Sequence, residues 1–118
     1  MAAPNILNLN SITGKTATAN VTTSYSNVIV NVASSSTLVK VNNILLSNYT
    51  ANAAVANIVL TRGGVNTYLG GSISVPGQSV LILIGKDTSF YLEEGDYLQA
   101  NTSTNNSINL TSGYEILQ

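Results

Sequence analysis

The chain contains no cysteine, no histidine and no tryptophan. No disulfide can staple it and no thiolate can act in it. A histidine general base and nearly all zinc sites are excluded as well. Charge is scarce: Asp, Glu, Lys and Arg make up 8% of the residues, against about 25% in an average globular domain. The four basic residues, Lys15, Lys40, Arg62 and Lys86, are scattered. The clustered cations that neutralise phosphates are therefore missing, and no nucleic-acid partner is expected. No apolar run approaches the ~20 residues that span a bilayer as a helix. Residues 1–16 lack the basic start and unbroken apolar stretch of a secretory signal. The expectation is a protein without a membrane partner, soluble when made and not processed for secretion.

What is present points to strands. The 118 residues suit one domain with a modest core. Asn, Ser and Thr supply about a third of them, well above average usage. Thr favours strands, whereas Asn and Ser favour turns and caps. Residues 79–100, SVLILIGKDTSFYLEEGDYLQA, read as three short strands divided by Gly85-Lys86-Asp87 and by Glu93-Glu94-Gly95-Asp96. Upstream, residues 16–23 alternate weakly, and Val28, Val30 and Val32 share a face. In residues 37–47 the pair Asn42-Asn43 shifts the phase of the alternation, which suggests a β-bulge. Residues 54–61 read as a strand, although the alanine content of residues 51–60 would tolerate a helix. Gly63-Gly64 marks a hairpin turn, because paired glycines reach positive φ cheaply. Residues 66–69 and 72–75 read as two short strands parted by Gly70-Gly71, and Pro76-Gly77 fits a type II turn. Residues 107–111 and 114–117 close the chain.

These elements number about eight to nine strands at the spacing of a sandwich or barrel. The fold class expected is all-β, an antiparallel β-sandwich over residues 17–118, preceded by an extended arm over residues 1–16. The arm holds Ile6, Leu7, Leu9 and Ile12 between asparagines. It reads either as a frayed end or first edge strand, or as a segment that orders against a neighbouring subunit.

No catalytic constellation emerges. Gly14-Lys15-Thr16 matches the end of a phosphate-binding loop, but the Gly required five residues earlier is Leu9. Glu93, Glu94 and Asp96 could line a Ca²⁺ ion or act as a glycosidase pair. A solvated turn, with Gly95 at its corner and Asp96 capping local amides, accounts for them better. Of the six tyrosines, Tyr25 and Tyr49 fall in loops, where they could touch sugars or partner proteins. Tyr68, Tyr91, Tyr97 and Tyr114 fall in strands, where sheet packing is the simpler role. Five Asn-x-Ser/Thr triplets begin at Asn20, Asn48, Asn101, Asn105 and Asn109; in so Asn-rich a chain they read as chance.

Several stretches carry a family likeness. They are Asn5-Ile6, residues 11–16 (SITGKT), Lys40-Val41-Asn42 leading to residues 44–48 (ILLSN), Val75-Pro76-Gly77, residues 91–96 (YLEEGD) and residues 112–116 (SGYEI). In these the chain resembles small virion structural proteins of tailed phages, especially of marine and cyanobacterial hosts. The resemblance implies a β-sandwich, often a jelly roll, that oligomerises on the virion. It implies a non-enzymatic capsid decoration (cement) protein, made in the host cytoplasm and carried on the particle. Its partners would be the major capsid protein or other virion proteins, with homo-oligomers such as a trimer. The alternative within the class is a neck, tail or fibre component that recognises host-surface glycans. No cofactor, metal or catalytic residue is expected. The candidate interface residues are Ile6, Leu7, Leu9, Ile12, Tyr25 and Tyr49.

Overall fold

A computed structural model describes residues 8–118, and among these described residues there are ten strands and no α-helix. In order they are β1 (Ile12–Val21), β2 (Ser26–Val30), β3 (Leu38–Val41), β4 (Ile44–Asn48), β5 (Ala54–Arg62), β6 (Val65–Val75), β7 (Ser79–Ile84), β8 (Phe90–Leu92), β9 (Tyr97–Thr102) and β10 (Ile108–Leu117). All pairings are antiparallel.

The six-stranded sheet is organised around β10. One edge of β10 pairs with β1 along its whole length, from Ile12↔Leu117 to Val21↔Ile108. Its other edge pairs with β4 and then β3. Strands β3 and β4 are thus one line of chain with an interruption, and β8 and β7 form a second interrupted line beyond it. The other sheet has four strands in the order β2-β9-β5-β6. With the broken lines counted once, eight strands form two sheets of four in jelly-roll order. The sandwich expectation therefore holds, and the higher strand count comes from the interruptions.

The first interruption lies at the phase slip seen in the sequence. The Asn42 and Asn43 N–H groups both donate to the Gly113 carbonyl, at 2.9 and 3.4 Å. Two residues facing one is the mark of a β-bulge. The Asn43 side-chain oxygen accepts the Gly113 N–H at 2.8 Å, and Ser112 Oγ donates to the Asn43 carbonyl at 2.7 Å. The bulge is thereby hydrogen-bonded on both sides. It also lets the large apolar residues of β3 and β4 reach the same core despite the extra residue.

That core is closed by Val21, Val41, Ile44, Leu46, Ile108 and Leu110 from the six-stranded sheet. Against them lie Ile29, Ala56, Ile58, Val75, Leu98 and Ala100 from the four-stranded sheet. Residues 54–61 are strand, not helix: Ala56 and Ile58 alternate inward, and β9 pairs along the strand without a slip.

Three local expectations need correction. Residues 66–75 are one strand, not two, because Gly70-Gly71-Ser72 absorbs register shifts against β5 instead of reversing the chain. At Pro76-Gly77 the positive φ (54°) falls on Gln78. Gly77 is needed for space, since a Cβ there would strike the Ala51 carbonyl. Finally, β1 begins at Ile12, inside the segment read as an arm. Of the two readings of that arm, the first edge strand is the one seen for residues 12–16. The Gln118 carbonyl accepts N–H bonds from Asn10 and Ser11, and Gln118 donates back to Ser11, which closes that end of the β1–β10 ladder. The hairpin at Gly63-Gly64 has positive φ at both glycines (58° and 79°), as a tight two-residue turn requires.

Candidate interaction surface

The acidic corner between β8 and β9 is the first place to test for chemistry. Gly95 takes φ 89°, and the Asp96 N–H donates to the Glu93 carbonyl at 3.0 Å, so the residues form a tight turn. The Asp96 carboxylate is buried and accepts the Glu93 N–H at 2.8 Å. It also accepts the Arg62 guanidinium through Nε (2.9 and 3.1 Å) and through a terminal nitrogen at 2.6 Å. Arg62 reaches Glu93 as well, at 2.8 Å. The Asp96 carboxylate, by its hydrogen bond first, holds the Arg62 guanidinium above its ordinary range; partial desolvation opposes this.

Arg62 therefore occupies the place a cation would take. Among the described residues, no group of three or more Asp, Glu, His or Cys could hold a metal ion. The corner is a structural clasp between the β5–β6 hairpin and the β8–β9 turn. Asn31 strengthens it. Its side chain donates to the Leu92 and Thr37 carbonyls and accepts from the Ser35 and Thr37 hydroxyls. Its backbone exchanges hydrogen bonds with Gly95 and Asp96.

The candidate interface residues that the structure describes do not form one patch. Ile6 and Leu7 lie outside the described residues. Leu9 is half-buried, just before β1. Ile12 is exposed and pairs with Leu117, at one end of β10. Tyr25 and Tyr49 are exposed at the other end of the sandwich, about 30 Å away along a ten-residue strand. Tyr25 lies just before β2. Tyr49 follows β4 and donates its N–H to the Ser107 carbonyl. Asn48 is buried and spends its side chain on the Asn52 and Val75 carbonyls and on Thr50, so the triplet there is no glycan acceptor. Lys15, in the phosphate-loop look-alike, is a strand residue of β1.

Two surfaces were missed by sequence reasoning. The first is β7. Its inward residues Leu81 and Leu83 pack on the core, while Val80 and Ile82 stand 60% and 66% exposed. Strand β7 is an edge: it pairs with β4 alone and carries no charge. An unbroken apolar run such as residues 80–84 fits a strand buried on both faces as well as one with a face bare, and nothing local separates the two. The second is the solvent side of the four-stranded sheet, where Tyr68 is 59% exposed. A signal for it existed: Asn66 and Tyr68 alternate with Thr67 and Leu69, so polar Asn66 puts Tyr68 on the outward face.

No family model matches the chain, and no curated protein matches it. Among solved structures, a chain of the Bacillus endospore appendages, which form a novel family of disulfide-linked pili, is similar in fold. The TM-score is 0.51 and the identity 15%, over 99% of this chain and 95% of that one.

Proposed function

We propose that the chain is a non-enzymatic structural protein that works by contact, with copies of itself and with the proteins of a larger assembly. The observation that carries this reading is the bare edge of β7. An uncharged edge strand with exposed β-branched residues is a template for pairing, and proteins that must stay apart blunt such edges with charge, proline or a cover. Strand β7 carries no charge and no proline, and among the described residues no strand pairs with its outer edge.

The finer reading is a phage virion protein of the decoration kind, bound to the major capsid protein. Its supports are the sequence resemblance and the jelly-roll order, an architecture used by viral capsid domains. The likeness to a pilus subunit supports the same coarse class of role. Lacking cysteine, this chain would make such contacts without disulfides.

The test has two parts. Sedimentation of the purified protein over a wide concentration range should show self-association that weakens when Ile82→Lys is introduced. Antibody against the protein should label intact phage heads. A protein that stays monomeric throughout, and that labels no particle, would sink the proposal; labelled tails or free filaments would move it off the capsid.

A further inference from the structure

If assembly runs through β7, as proposed above, its partner strand remains to be named. The edges of the two sheets are β1, β2, β6, β7 and β8. Strand β1 carries Lys15, and a lysine guards an edge against pairing. Strand β8 has three residues, and β2 is bulged at Val28, in the middle of its five. Strand β6 is split by two register shifts, and its straight start lies beside Arg62. Bulges twist an edge away from a flat partner. In β7 the register shift falls at Leu83, close to the end, and residues 79–82 run straight beside β4. Among the strands of this chain, β7 therefore meets its best match in β7 of a second copy.

Charge and side-chain direction both allow that match. A two-fold axis sets identical groups near each other, so a charged edge repels itself. Strand β7 and its outward neighbours on β4, Leu45 and Ser47, carry no charge. Val80 and Ile82 point outward, whereas Leu81 and Leu83 pack on the core. Residues opposite one another in an antiparallel pair point to the same face. The axis of a symmetric pair therefore passes through a residue, never between two. Placed on Leu81, it sets Val80 opposite Ile82 of the second copy, and Ile82 opposite Val80 of the second copy. The bulge at Leu83 then lies outside the three central residues. Each outward row runs from Leu45 through Ile82 to Val80 of the second copy. The pairing covers side chains that stand bare in one copy.

We propose that two copies pair through β7 about a two-fold axis at Leu81, which joins their six-stranded sheets into one. The edge offers backbone N–H and C=O groups in a row at strand spacing, and another strand is the group that matches them. An isologous contact closes on itself. Strand β7 thus makes a dimer, and the other surfaces of the sandwich are left for the larger assembly.

The experiment uses the full-length chain, which has no cysteine of its own. Val80→Cys and Ile82→Cys are made separately, one of them with a size tag, and are oxidised alone and mixed. The mixed pair should form disulfides at least about tenfold faster than either alone, because cysteines with Cα atoms more than about 7 Å apart are not bridged without backbone movement. Both side chains are exposed, so the variants keep the core intact. Sedimentation should show a dimer that Ile82→Lys returns to monomer. A chain that stays monomeric at every concentration sinks the assembly reading and this pairing with it. A chain that associates while the mixed pair gains no rate over the single variants sinks the pairing alone. Faster bonding of Ile82→Cys to Val30→Cys, on an edge of the other sheet, would mean that unlike edges meet and would overturn it too. So would protection of the β7 amides from hydrogen exchange only after virion proteins are added, since another chain would then be the occupant.

Discussion

The two long edges of the six-stranded sheet contrast sharply. Strand β1 offers ten residues, Thr-rich, with Lys15 among them and only Ile12 large, apolar and exposed. Strand β7 offers six residues, all uncharged, with Val80 and Ile82 bare. Behind β1 stands a full ten-residue ladder to β10; behind β7 stands the five-residue β4, with a register shift at Ile44. The longer edge is therefore the better guarded, and the shorter one is left open. Edge length alone would name β1 as the contact surface, whereas the one proposed here is β7. What discriminates is the chemistry of the outward-pointing residues.

The largest effect that would sharpen this contrast is on stability. Asn48 ends β4 and ties it to the β6–β7 connection through Val75. Replacing it by Ala removes the buried bond to the Val75 carbonyl and the acceptor of the Thr50 N–H, and chemical denaturation should register a loss of about 3 kcal/mol. The matching amide of β1, Asn20, makes one exposed bond to Asn106, and Asn20→Ala should stay within about 0.5 kcal/mol. Equal losses at the two sites would erase the asymmetry in how the edges are held.

Next comes association. Ile82→Lys should raise the self-association constant Kd at least about tenfold, or ~1.4 kcal/mol, with little change in denaturation midpoint. Thr18→Lys, also outward but on β1, should leave Kd unchanged. A reversed result would move the contact to the other edge.

A smaller effect is expected at the bulge that β10 shares with both halves of the sheet. Asn43→Ala removes the acceptor for the Gly113 N–H and should cost about 1 kcal/mol. Hydrogen exchange should quicken at Gly113 but not at the far end of the β1 ladder.

The smallest effect is a pH dependence in the other sheet. The Tyr25 pKa is raised, chiefly by its hydrogen bond to Tyr68, so folding favours the neutral phenol. That contribution is complete below pH 10.0, the unfolded value, and fades as pH rises through the higher folded value. Melting temperature should therefore fall in alkali slightly more for the native chain than for Tyr25→Phe, while the β1 and β7 variants follow the native curve.

Much of the local architecture was legible in the residues. The Gly63-Gly64 hairpin, the bulge at Asn42-Asn43 and the Asp96-capped corner each follow from backbone requirements met within a few neighbouring residues. Gly70-Gly71 was misleading, because paired glycines serve a bulge as well as a turn, and only the partner strand β5 decides between them. The Arg62–Asp96 clasp joins residues 34 apart, and nothing in either neighbourhood announces it. Tyr25 and Tyr68 were separated into loop and strand, with different roles assigned. That β2 and β6 are the two edges of one sheet is shown only by the strand order.

Alternation and turn chemistry are local, so the chain alone settled that it makes short antiparallel strands, and its lack of Cys and His left it without thiolate or imidazole groups. Which face of each strand is covered was a tertiary decision. The apolar run of β7 is the same string of residues whether buried or bare; only its place at the rim of a sheet leaves Val80 and Ile82 in water. Period-two patterning tells which residues travel together, but burial depends on what packs against them, and that is set by strand order.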